Sequence, residues 1–149
     1  MTRSQHLAQI VLRLALGIGF ILPVLDRLGY LGAPGSKTAA WGNWEVFVGY
    51  THTLLPFLPN SGVSAMALIA TVLEIIFGIC LITGYRIRLA AGGAALLTFI
   101  FGLCMALFIG IAAPFKYPVF VFTGAAWALS TLPVYRWSVD QLLGKVNPK

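Results

Sequence analysis

Charge is scarce in this sequence: 9% of residues are charged, against roughly 25% in soluble domains, and only four side chains are acidic. Such a chain cannot cover a soluble domain with polar surface. Hydrophobic residues make up 59% and the mean hydropathy is +0.90, which places the chain among membrane proteins. Cysteine is almost missing too. Cys80 and Cys104 both fall inside apolar stretches and form no CxxC pair, which excludes a thiol-disulfide relay. At 1.5 Å per helical residue, Cys80 lies about two turns from one membrane surface and Cys104 some four turns from it, too far apart for a disulfide. The two histidines, His6 and His52, belong to opposite sides of the membrane, so bis-histidine haem ligation between helices is excluded. Zinc and iron-sulfur spacings are lacking, as are a phosphate-cradling glycine loop and a Ser/His/Asp set. No metal or haem is expected, and without a basic stripe interleaved with aromatics, no nucleic-acid partner either.

Four apolar stretches are present, at 7–28, 64–84, 89–112 and 117–133. Each approaches or exceeds the roughly 17 to 25 residues that cross a bilayer as helix. They predict an all-α fold, a single transmembrane domain over 1–149 built as an integral membrane four-helix bundle in contact with the lipid bilayer. Arg13 interrupts the first stretch and no small-residue cleavage site follows promptly, so the reading is a retained helix rather than a signal peptide. Arg3, Arg86, Arg88, Arg136, Lys145 and Lys149 lie on one side, against Arg27, Lys37 and Lys116 on the other. That bias predicts cytoplasmic amino and carboxyl termini.

The outer loop, 32–63, opens with GAPGS and closes with PNSG, and between them lies WGNWEVFVGYTHTLLPFLP. With Asn43 as cap, Trp44, Phe47, Val48, Thr51, Leu54 and Leu55 share one helical face while Glu45, Gly49 and His52 share the other. This predicts a short amphipathic helix that lies in the interface or folds over the bundle as a lid. Gly102, Ala106 and Gly110, with Gly92-Gly93, predict close helix approach along the third stretch. Pro23 is expected to kink the first span and Pro133 to end the fourth. A cytoplasmic tail, 134–149, follows, with a short interfacial helix in RWSVDQLLGK.

Two polar groups stand in the apolar runs. Glu74 is flanked on one face by Ala70 and Gly78, and Gln9, Arg13 and Gly17 form a matching stripe on the first span. Each charge alone in hydrocarbon costs several kcal/mol, so Arg13 and Glu74 are expected to pair. The pair either fixes helix register or marks a site where Glu74 takes up a proton or bonds a polar ligand such as a quinone. A second cluster belongs to the outer side: Asp26, Arg27, Trp41, Trp44, Glu45 and His52. It forms either a solvated rim with an aromatic belt or a small ligand-binding pocket under the lid. In the second case Arg27 and Lys116 attract an anion and His52 or Asp26 moves protons.

LRLALGIGF (12–20), LDRLG (25–29), WGNW (41–44), LEIIFGICLITGYRIRLAA (73–91) and AAPFKYPVF (112–120), taken in order, resemble the DoxX/DoxD family of small four-helix membrane proteins. In that family Arg13, the Asp26-Arg27 step and Glu74 would correspond to recurrent polar positions. The resemblance implies service to a quinone-linked redox system. Some relatives form the membrane subunit of a thiosulfate:quinone oxidoreductase, which carries electrons from an outer sulfur compound to membrane quinone; others are linked to terminal oxidases or redox-stress assemblies. It also implies quinone as cofactor, and a protein partner subunit or a homo-oligomer. A different class of reading stands beside it: a non-catalytic membrane scaffold, or a small proton-coupled carrier working past Glu74.

Overall fold

Apolar residues in this chain surround small and polar ones at helical spacing, and the fold turns that pattern outward. The computed structural model describes residues 2–144. Its elements are α1 (Arg3–Arg27), α2 (Trp44–Leu54), α3 (Asn60–Thr83), α4 (Ile87–Phe108), α5 (Ala113–Lys116), α6 (Val119–Ser130) and α7 (Val139–Leu142), with no strand among the described residues. Three helices, α1, α3 and α4, are long and apolar enough to cross a membrane. Their starts follow local chemistry. Thr2 and Gln5 cap α1 reciprocally, and the Asn43 side chain accepts from the Val46 amide at the head of α2. Gly84, at φ +78°, terminates α3.

The fourth expected span is shorter than its apolar run. α6 has 12 residues, about 18 Å of helix against the roughly 30 Å of a bilayer core. α4 stops at Phe108 rather than 112 because Gly110 adopts φ +139°. Pro114 and Pro118 then break the connection into the single turn of α5 before α6 begins. α1, by contrast, runs unbroken through Pro23.

α1 packs on α3 and α6, and α4 packs on α3 and α6, while α2 lies against α3, α4 and α1. The buried stripe of α1 is Gln9, Arg13, Leu16, Gly17, Phe20, Val24 and Arg27; that of α3 is Val63, Ala67, Ala70, Thr71, Glu74, Gly78 and Leu81. Outward on α3 stand Ile69, Val72, Ile76 and Ile79, each about half exposed. Polar groups inside and aliphatic groups outside reverse the order of a water-soluble bundle and suit lipid. α1 and α3 meet closely at Gly17 and Gly78. A Cβ on Gly78 would stand 2.8 Å from Ile21 Cδ1, and one on Gly17 would stand 2.6 Å from Ile82 Cγ1. The glycines of the third apolar stretch act differently from expectation: Gly93 and Gly102 make room for the rings of Phe77 and Phe120, and Gly92 and Gly110 face open space.

Loop 28–59 closes one end of the bundle, here the loop end. The start of α1, the α3–α4 turn and segment 131–144 form the tail end. Of the tail's expected charges, Lys145 and Lys149 lie outside the described residues.

Candidate functional site

Near the loop end, successive residues of α1 point in different directions. Asp26 turns toward the loop, where its Oδ2 accepts from the Ala40 and Trp41 amides at 2.9 and 3.0 Å and its Oδ1 from the Gly42 amide at 3.1 Å. Three N–H donors on one carboxylate clamp the loop onto the helix. The loop can take that shape because Gly42 sits at φ +70°, where a Cβ would meet Pro34 N at 2.4 Å.

Arg27 turns inward and is 1% exposed. Its side chain folds back along α1, as helical side chains do, and Nε donates to Pro23 O at 3.1 Å. Nη1 donates to Thr71 Oγ1 at 2.7 Å, and Nη2 stands 2.7 Å from Glu74 Oε2. The contact with Glu74 is a buried ion pair. The Phe47 ring centroid lies 3.7 Å from the guanidinium carbon and that of Trp41 5.3 Å, so the loop and α2 seal the cation beneath aromatic faces. Burial in this aromatic layer, where Tyr50 packs 6.0 Å from Trp41, raises the Tyr50 phenol above its ordinary pKa, with Tyr117 adding to the effect.

Glu74 therefore has a different partner from the one expected. Arg13 makes no ion pair with it; the mate is Arg27. The reason is helix register. With Gly17 set against Gly78 and Ile82, the antiparallel pair brings Arg27 level with Thr71 and carries Arg13 up to Gly84, where a Cβ would stand 3.0 Å from Arg13 Nη1. Arg13 Nη2 instead donates to Trp137 O at 2.8 Å, and the neighbouring Gln9 Nε2 donates to Arg136 O at 2.9 Å. At the same end Asp140 accepts from the Arg86 and Ile87 amides at 2.8 and 3.0 Å, capping α4 from another segment.

Of the residues singled out from sequence, the structure brings Asp26, Arg27, Trp41 and Glu74 together. Trp44 reaches the cluster only through Phe47, 5.7 Å away. Glu45 and His52 are exposed on the far face of α2 and make no ion pair or side-chain hydrogen bond among the described residues. Lys116 is exposed as well. Arg27, enclosed on all sides, is not open to an anion at the loop end. Thr71 and Asp140 were missed. A hydroxyl three residues before Glu74, on its face, was a signal for the first; a carboxylate in a chain with four of them was one for the second.

Among the described residues, no hydroxyl or N–H completes the Glu74 carboxylate beyond its one cation. Buried ion pairs repay their desolvation when further hydrogen bonds satisfy the remaining lone pairs. Glu74 lacks these and keeps acceptor capacity inside the bundle. A groove of about 290 Å³ between α4 and α6, lined by Gly92, Ala95, Leu96, Phe99, Thr123, Trp127 and Ser130, shares no residue with this cluster. A scan of protein-family models finds no match to the chain, and neither a curated protein nor a solved structure matches it. Fold and composition define the class alone: a helical membrane protein, by the length and apolarity of three of its helices, with a buried ion pair under a clamped loop.

Proposed function

We propose that this chain is a four-helix protein of the bacterial inner-membrane type, with cytoplasmic termini, that serves a quinone-linked redox system as the membrane subunit of a thiosulfate:quinone-type oxidoreductase. The observation that carries the reading is Glu74: a carboxylate buried in the bundle that meets one cation at Oε2 and no other donor among the described residues. Such an oxygen fits the hydroxyl of a quinol as hydrogen-bond donor. The quinone, when bound, supplies a two-electron carrier soluble in the lipid. Glu74 would give a bound quinone its proton partner, Arg27 holds the carboxylate in position, and the Asp26 clamp keeps Trp41 and Phe47 over the pair to exclude water. The DoxX/DoxD resemblance in sequence points the same way. Mass spectrometry and absorption spectra of solvent extracts from gently purified protein test it. Stoichiometric quinone in the wild type that is lost in Glu74→Gln is the expected result; quinone absent from both overturns the proposal.

One observation favours a second reading. Every nitrogen of Arg27 is engaged, so the pair can serve as a structural clasp in a non-catalytic scaffold subunit. A stable hetero-complex without flux in proteoliposomes would mark that scaffold. Flux that depends on Glu74 would mark a proton-coupled carrier instead.

A further inference from the structure

The tail end carries an arrangement that the ion pair does not use. Segment 135–144 runs across the ends of α1, α3 and α4, and within it two polar side chains are turned in while two large apolar ones are turned out. Ser138 and Asp140 are buried, while Trp137 is 80% and Leu142 86% exposed. Water does not favour that order; the boundary between headgroups and acyl chains does. Arg3, Arg86, Arg88 and Arg136 stand exposed at the same end. The one acid there among the described residues, Asp140, is buried with both oxygens on backbone amides. No described carboxylate forms an ion pair with the exposed cations.

Backbone strain singles out two of these residues. Among the described residues, Arg86 at φ +46° and Trp137 at φ +58° are the non-glycine positions in the left-handed region. Both are held there from inside the bundle. Asp140 binds the Arg86 amide, Arg13 binds the Trp137 carbonyl, and Ser138, next in the chain, packs against Gly84. Buried polar groups thus fix the backbone of an exposed arginine and an exposed tryptophan at neighbouring places on one rim. Arg13 keeps Nε and Nη1 without hydrogen-bond partners just beneath, and the Asp140 carboxylate offsets part of its charge.

We infer that the tail end is a docking surface for anionic phospholipid headgroups, with Arg86 and Arg136 on the phosphates and Trp137 and Leu142 in the acyl boundary. The inference is independent of any quinone chemistry. Native mass spectrometry of protein ejected from vesicles of phosphatidylglycerol and phosphatidylcholine in equal parts tests it. Arg86→Asn keeps a residue type that tolerates the left-handed backbone, and Arg136→Gln alters a side chain that is already exposed, so neither should perturb folding. Wild type should retain phosphatidylglycerol in preference, and each substitution should weaken that preference about fivefold. Equal retention of the two lipids by wild type, or an unchanged preference in the double variant, would overturn it. So would displacement of the bound lipid by inorganic phosphate alone, which would assign the surface to a free anion.

Discussion

The two ends of the bundle are built from the same parts and finish differently. Each has a buried arginine on α1 and an aspartate whose carboxylate grips the backbone amides of a neighbouring segment. At the loop end Arg27 has all three nitrogens engaged and Asp26 takes three amides. At the tail end Arg13 uses only Nη2, on a neutral carbonyl, and Asp140 takes two amides. The difference follows depth. Arg27 meets Thr71 and Glu74 within the length of α3, where an unmatched charge has no solvent to turn to, whereas Arg13 meets the end of that helix at Gly84. The loop end is closed around its charge, and the tail end leaves two nitrogens of its arginine without hydrogen-bond partners.

The largest expected effect breaks the closed end. Arg27→Met leaves Glu74 buried without a cation and should lower stability by about 3 to 5 kcal/mol. Adding Glu74→Leu should restore most of it, since removing both charges spares the desolvation. Unfolding in mild detergent followed by circular dichroism gives both values. A single variant as stable as wild type would show that Glu74 sheds its charge at no cost, and the contrast between the ends would disappear.

Next comes the clamp. Asp26→Ala strips three amides of their charged acceptor and should cost roughly 3 kcal/mol. Limited proteolysis reads the consequence directly, because loop 28–43 should become cleavable while α3 and α4 stay protected. At the tail end, Arg13→Gln gives up one hydrogen bond to a neutral carbonyl and should cost about 1 kcal/mol. A loss equal to that of Arg27→Met would mean that Arg13 is matched by a charge after all, and the asymmetry would fail.

How much of this was legible beforehand depends on the scale of the signal. The runs 64–84 and 89–112 are unmistakable as apolar length, and α3 and α4 fall within a few residues of them. Asn43 as a cap and Asp26-Arg27 as a polar step were readable because local chemistry decides them. The mate of Glu74 was not. Both Arg13 and Arg27 lie on the stripe of α1 that faces α3, and the choice between them rests on register, which Gly17 and Gly78 set through a contact between residues 61 apart in the chain. Nor could an apolar count shorten the fourth span, because Gly110, Pro114 and Pro118 act on backbone angles that hydropathy does not see.

The smallest effects belong to the residues that the sequence marked and the structure left outside. Glu45 and His52 sit on the exposed face of α2, and neither meets another charge among the described residues. Substituting exposed side chains away from buried features changes stability by no more than about 0.5 kcal/mol. Glu45→Gln and His52→Gln should therefore leave the unfolding midpoint, loop protection and quinone content unchanged. A rim that held a ligand through His52 would lose that ligand from the purified protein in His52→Gln. The geometry around Arg27 predicts no such loss. Finding one would move the working site outward from Glu74 to the face of α2, and would make the loop end, not the tail end, the open one.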